Sequence, residues 1–149
     1  MTSETTGSGV SAVGIERVVW RLYDEVWTGR DYAVADELFD PEFSYSAAPG
    51  LKGAEAKLKA IRSYHQSFPD LQATIEDLVI SADHAAVRFT VTGTDLGGLR
   101  GRPPTGRKVS VWAIDFLGFR DQRIISNWPR VDWLGLLVQL GVVSDPWSG

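Results

Sequence analysis

The stretch from Lys108 to Gly141 constrains the fold more than any other part of the chain. Its first part, KVSVWAIDFLGF, is a long run of β-branched and aromatic residues and reads as a strand. A turn, RDQ, follows it, then a second strand, RIISNWPRVD, and a closing helix, WLGLLVQLG. The first strand is apolar on both faces. Val111, Ala113, Leu117 and Phe119 share one face with a single carboxylate, Asp115, while Trp112, Ile114 and Phe116 share the other. A carboxylate in such surroundings is costly unless it is paired, hydrogen-bonded or protonated. Burial of this kind raises a carboxyl pKa, and a raised value suits proton transfer near neutral pH. Asp115 therefore marks where a site is expected.

The rest of the chain supplies what packs against that strand pair. Ile15, Val18, Val19, Leu22 and Val26 recur at helical spacing, predicting a helix over 11–28 that Gly29 ends. Asp31 is placed to cap a short second helix over 32–39, which Pro41 terminates. Residues 43–47 are a short extended piece before the Pro49-Gly50 turn. A third helix spans 53–67, with Ala54, Leu58, Ile61, His65 and Phe68 on its apolar side. Strands are expected over 71–81, 85–95, 108–119 and 123–131, and a last helix over 133–141. Helices followed by long antiparallel strands predict an α+β domain with the helices on one side of a curved sheet. The far face of such a sheet should be polar. Here it is not, and a second copy of the chain is the simplest cover, predicting a homodimer through the outer face.

A length of 149 residues fits one domain. Residues 1–10 read as a disordered tail, 11–143 as the domain and 144–149 as a C-terminal tail. There is no cysteine, which excludes disulfides and thiolate chemistry. The formal charge is −4, and Arg100, Arg102, Arg107 and Lys108 flank a Pro-Gly turn as a solvated loop, so no nucleic-acid partner is expected. No apolar run reaches membrane-spanning length and the start, MTSETTGSG, lacks the pattern of a signal peptide, which predicts a cytoplasmic protein with no membrane partner. The two histidines have no metal-site spacing, and the glycine-rich stretch 97–106 lacks the lysine and helix start of a phosphate cradle, so neither metal nor cofactor is expected. Six Trp, six Phe and four Tyr suit a core, and also a pocket for a flat hydrophobic small molecule.

The order of elements resembles the cone-shaped nuclear transport factor two-like (cystatin-like) fold: three N-terminal helices on a curved mixed or antiparallel sheet, with a short C-terminal helix. Within it the chain is similar to the SnoaL-like polyketide cyclases. The resemblance runs over about residues 11–143 and is carried by SFPDLQATIEDLVISADHAAVRFTVTGTDLGGLRG, by RPPTGRKVSVWAIDF and by RIISNWPRVDWLGLLVQLG. The most specific part is W-x-x-x-D-x-x-G-x-x-x-Q-L-G, from Trp128 to Gly141; FPDL with a following GTDLGG comes second. It implies ring closure on polyketide intermediates by acid–base chemistry without metal or cofactor, on a scaffold shared with ketosteroid isomerases, dehydratases and epoxide hydrolases. Asp115 falls where the isomerases hold an oxyanion-binding acid and a cyclase holds a pocket histidine. Tyr23 falls at the isomerases' catalytic tyrosine and Tyr45 at their general-base aspartate. Pro129 stands where the cyclases carry their catalytic aspartate, with Asn127 two residues away, and Asp95 stands where they carry a second histidine.

The candidate catalytic set is Asp115, Tyr45, Tyr23 and Asp132, and the candidate substrate contacts are His65, Asp95, Trp112, Asn127, Trp128 and Trp133. Each has an ordinary structural reading. Asp115 is a pocket acid or base, or a carboxylate bonded to a neighbouring tyrosine, tryptophan or arginine. Asp132 is a second carboxylate at the pocket mouth, or the cap of the last helix. Asp95 faces the pocket as the family histidine does, or starts a turn. His65 meets substrate, or is a hydrogen-bonded core residue. Tyr23 and Tyr45 donate to a developing oxyanion, or reach backbone carbonyls. Trp112, Trp128 and Trp133 are walls. Arg88 partners a carboxylate or the far face. The expected reaction is ring closure, isomerisation or dehydration by proton transfer on a hydrophobic, polyketide-like or polycyclic molecule. Epoxide opening and a non-catalytic binding or dimerisation module are the alternatives.

Overall fold

The computed structural model describes residues 10–148. The segment expected to be an N-terminal tail lies mostly outside those residues, and Val10 packs against the core. Helix α1 (Ala12–Arg21) is capped by the Ser11 hydroxyl, which accepts the Gly14 N–H at 3.1 Å. It does not continue to residue 28 as an α-helix. It widens into a π-helical turn over Leu22–Thr28, with the Gly29 N–H reaching back five residues to the Asp24 carbonyl at 2.9 Å. Such turns concentrate at functional sites because they re-aim side chains. Here Tyr23 and Trp27 are both buried.

A 3₁₀ turn (Tyr32–Val34) and the single-turn helix α2 (Ala35–Leu38) lead into strand β1 (Phe39–Tyr45). Pro41 therefore lies within a strand and not at a helix end. Beta1 is an edge strand, where a residue without an N–H is tolerated. Helix α3 spans Ala54–Ser67. Strands β2 (Gln72–Ser81), β3 (His84–Thr94), β4 (Lys108–Arg120) and β5 (Arg123–Val131) follow, and helix α4 (Trp133–Gln139) closes the chain. The sheet order is β1-β5-β4-β3-β2, with β1 parallel to β5 and every other pair antiparallel. This is the expected α+β cone, with four helices packed on a five-stranded sheet.

Strict alternation on β4 decides which side chains enter the cone. Val109, Val111, Ala113, Asp115 and Leu117 are buried, while Trp112 and Phe116 are half exposed on the outer face. Cross-strand register brings Val79, Ala86, Phe116 and Trp128 into one outer row. His84 stacks on Phe116 at a centroid distance of 5.1 Å. Arg88 lies on the same face, where its Nε donates to Asp77 Oδ2 at 2.8 Å. It is thus no partner for Asp115. Among the described residues no helix is long and apolar enough to cross a membrane.

Candidate active site

Three elements converge on Asp115. From the π-helical turn, the Tyr23 hydroxyl donates a short hydrogen bond to Asp115 Oδ2. From β5, Asn127 Nδ2 donates to Asp115 Oδ1 at 3.1 Å. From α3, Lys57 Nζ donates to Asn127 Oδ1 at 2.7 Å and lies 3.5 Å from Asp115 Oδ1. All four side chains are buried, Lys57 at 2% exposure and Asp115 at 1%. The lysine fixes which way the Asn127 amide faces, because an ammonium only donates and must meet the carbonyl oxygen. Burying a carboxylate and an ammonium together is tolerable only with such pairing and with hydrogen bonds on the remaining positions.

Of the two readings of Asp115, the carboxylate bonded to a tyrosine describes its hydrogen bonding, and the partner is Tyr23. Ile114 and Phe116 point to the other face, and the space beside Asp115 is filled by donors from elsewhere in the chain. Desolvation, and then the Asp115 charge, push the Tyr23 hydroxyl well above its ordinary pKa. Tyr23 therefore keeps its proton and donates it to the carboxylate. It lines neither of the two cavities beside the cluster, and its hydroxyl is spent on positioning Asp115.

Two adjoining cavities lead to this cluster. The inner one, about 50 Å³, is lined by Trp27, Tyr45, Lys57, Tyr64, Asp115 and Pro129 together with apolar residues of β3, β4 and α4. The outer one, about 810 Å³, is a vestibule between the segment after β1, the exposed side of α3, Leu99-Arg100 and the end of β5. Tyr45, Tyr64, Pro129 and Val131 line both and form the neck between them. Proline has no N–H to give a neighbouring strand, and Pro129 sits just beyond Asn127, the last β5 residue paired with β1. The sheet parts there, and the vestibule opens.

Two polar groups in the inner cavity have capacity left for a ligand. Lys57 Nζ sits 4.6 Å from the Tyr45 ring centroid and 5.6 Å from that of Trp27, and with Asn127 Oδ1 at 2.7 Å and Asp115 Oδ1 at 3.5 Å it keeps a third N–H for a ligand. The Trp27 indole N–H is buried and has no acceptor among the described residues. An unsatisfied buried donor is costly, and a functional site is one reason for it to persist. Neither Tyr45 nor Tyr64 has a hydroxyl partner among the described residues, and burial raises the Tyr64 pKa so that it too stays protonated.

The other candidates fall outside this chamber. Asp132 caps α4, accepting the Gly135 N–H at 3.0 Å, and lines neither cavity. Asp95 organises its loop, accepting from Gly98 N at 3.0 Å and from Thr105 N and Oγ1 at 3.0 and 2.8 Å. His65 lies between Tyr32 and Trp27: its Nε2 donates to the Trp27 carbonyl at 2.6 Å, which leaves Nδ1 to accept from the Tyr32 hydroxyl at 2.6 Å. Desolvation lowers its pKa, so the ring is neutral and structural. Trp112 and Trp128 stand on the outer face and line neither cavity. Trp133 does line the vestibule, stacked on Tyr64 at 6.2 Å. Asn127 sits within the cluster but is not a cavity wall. Among the described residues no three His, Asp or Glu side chains gather closely enough to hold a metal ion.

Lys57, Trp27 and Tyr64 escaped the sequence reading. The signal for two of them was present. Lys57, Ile61, Tyr64 and Phe68 repeat at i, i+4, i+7 and i+11, which is the stripe of α3 that faces the cone.

The sequence profile of the SnoaL-like polyketide cyclases matches residues 17–140. The chain belongs to this family. Solved structures agree with the assignment. TsrD from Streptomyces laurentii is 28% identical, with 90% of this SnoaL-like chain and 99% of TsrD covered at a TM-score of 0.83. IdmH from Streptomyces antibioticus, a candidate polyketide cyclase, is 27% identical over 85% of this chain and 98% of its own, with a TM-score of 0.75. AclR from Streptomyces galilaeus, a candidate hydroxylase, is 26% identical over 91% and 85%, with a TM-score of 0.79. Among curated protein sequences none matches the chain. A polyketide-cyclase-type role follows from the family, while its members' differing descriptions leave the particular reaction to the site itself.

Proposed function

We propose that this SnoaL-like protein is a cofactor-independent acid–base catalyst for a hydrophobic, polycyclic or polyketide-like carbonyl compound. The observation that carries the reading is the inner cavity, which presents one carboxylate, Asp115, beside two donors with unused capacity, Lys57 Nζ and Trp27 Nε1. The vestibule holds the body of the molecule, and its volume lies in the range of ordinary ligand pockets. The inner cavity admits only the reacting end. Asp115 takes a proton from the carbon beside a carbonyl, and the electron pair moves onto the carbonyl oxygen. Lys57, Trp27 and the Tyr45 hydroxyl stabilise that oxyanion in a site screened from water. The enolate carbon then attacks a second carbonyl of the same molecule, and the new alkoxide recovers the proton from Asp115. Reprotonation at another carbon gives isomerisation instead, and loss of a β-hydroxyl with that proton gives dehydration.

Epoxide opening by paired carboxylates fits less well, since no other Asp or Glu of the described residues lines either cavity. A non-catalytic binding module draws on Pro129, which faces Asp115 across the β4–β5 register without a titratable group. Hydrogen–deuterium exchange at the α-carbons of aromatic ketones such as 1- and 2-tetralone, followed by NMR, separates these readings. The wild-type chain is expected to accelerate exchange, and Asp115→Asn to lose about 10²–10⁴-fold of that acceleration. An Asp115→Asn protein that is folded and exchanges at the wild-type rate would refute the role of Asp115.

The outer face supports a homodimer as the working form. The row of Val79, Phe116 and Trp128 is exposed, and the Asp77–Arg88 pair lies beside it. A two-fold axis through the face lets each copy's Arg88 meet the other's Asp77 while the apolar rows cover one another.

A further inference from the structure

The charge lining the vestibule is of one sign. Lys59, Arg100 and Arg130 line it, and no Asp or Glu does, although acidic residues outnumber Lys and Arg by 19 to 15 in the chain. Among the described residues none of these three cations has an acidic partner. The acids nearest to them in sequence are engaged elsewhere: Glu55 with Arg62 on α3, Asp95 with Gly98 and Thr105, and Asp132 with the Gly135 N–H. Arg100 is held in place, with its guanidinium 4.8 Å from the Trp133 ring; Arg130, which the register sets opposite Ile114 on the outer face, folds back so that its Nη1 donates to the Pro129 carbonyl at 2.8 Å, and it forms the rim of the vestibule. The Trp133 and Tyr64 rings stack beneath Arg100 and offer an aromatic floor. Cations around a concave, low-dielectric wall focus a positive potential into it.

We infer that the vestibule is an anion-selecting site, and that the ligand of this SnoaL-like protein is an aromatic or polycyclic molecule carrying a carboxylate or phosphate at the end remote from the inner cavity. The inference deepens the proposed catalytic reading by naming a substrate class, but it concerns binding alone. The anionic end meets Arg100, Arg130 and Lys59 at the mouth. The flat body lies along Trp133 and Tyr64. The neutral carbonyl end points through the neck toward Lys57 and Asp115. Guanidinium groups suit planar and bidentate acceptors such as carboxylates and phosphates.

Binding of 1-naphthoate, 1-naphthyl phosphate and the neutral 1-naphthamide to the full chain tests this, read by NMR shifts of the amides of Ala48, Leu51, Ala60 and Ser63. At least one anion is expected to bind about tenfold more tightly than the amide, with a preference that shrinks as salt is added. Which anion wins distinguishes a carboxylate from a phosphate ester. The triple variant Lys59→Gln, Arg100→Gln, Arg130→Gln is expected to lose the preference with amide binding unchanged. Arg17→Gln, on exposed α1, keeps the preference and controls for net charge. Ala60→Trp, which puts an indole into the vestibule wall, is expected to weaken all three ligands. Equal binding of anion and amide, a preference that survives in the triple variant, or no binding of any probe up to its solubility would overturn the inference. Asp115→Asn separates the two readings: the anion preference is expected to persist there whether or not that variant exchanges ketone protons.

Discussion

Replacing Lys57 by Met tests the polar cluster most directly. Methionine keeps an unbranched side chain of similar length, so packing against Tyr45 and Trp27 survives while the charge goes. Asn127 Oδ1 then loses its donor at 2.7 Å, and Asp115 keeps Tyr23 and Asn127 but no positive charge at 3.5 Å. Removing one member of a buried ion pair costs about 3–5 kcal/mol, because the remaining charge stays in a medium that solvates it poorly. For a chain of this length that amounts to a fall in Tm of roughly 10 °C. The decisive measurement is a cycle with Asp115→Asn, read by urea denaturation and circular dichroism. Once the carboxylate is neutral, loss of Lys57 should cost about 2 kcal/mol less than it does in the wild-type background. Two substitutions whose costs add to within about 0.5 kcal/mol would mean that Lys57 and Asp115 do not sense each other, and the cluster argument would fail.

Other consequences can be measured in the same way. Trp27→Phe removes a donor that has no acceptor among the described residues but also shrinks a core ring packed on Tyr64 and Phe89, so stability should fall by about 1–2 kcal/mol while ketone exchange falls about 10²-fold; unchanged exchange in the folded variant would contradict the oxyanion role. His65 has a pKa below its ordinary 6.5, so the unfolded chain binds the extra proton first as pH falls. Stability should be complete above about pH 6.5 and decline below it until the folded-state pKa is passed, and His65→Gln should flatten that decline in pH-dependent urea titrations. Sedimentation should show a dimer for the wild-type chain and a monomer for Phe116→Lys with Trp128→Ser; a wild-type monomer at high concentration would remove the outer-face contact.

The sheet was legible because its signal is local and periodic. Alternation along 108–119 put Asp115 on the buried face, and the same alternation already put Trp112 on the opposite one, so naming Trp112 and Trp128 as walls conflicted with the rule that located Asp115. Pro41 misled because a proline ends a helix and also suits an edge strand, and only the sheet order decides between them. Asp132 and Asp95 had competing local readings, and the local ones describe them: short-range hydrogen bonds to backbone N–H groups hold both. Tyr23 and Asn127 were both candidates, and a tyrosine bonded to Asp115 was one of its two readings. Lys57 was hidden for the opposite reason: it reads as a solvated helix cation until the neighbouring turns of α3 are aligned with the cone. The π-helical turn that aims Trp27 inward has no sequence signature.

The carboxylate at the base of the cone joins a strand, a helix and a widened helical turn through a single side chain. It is therefore a rivet as well as the proposed reagent. A lineage that abandoned turnover would still be under pressure to retain Asp115 for the sake of assembly, so an aspartate at this position is a poor emblem of activity in a newly met homologue. The buried N–H of Trp27, which meets no acceptor among the described residues although its ring packs in the core, is the better diagnostic.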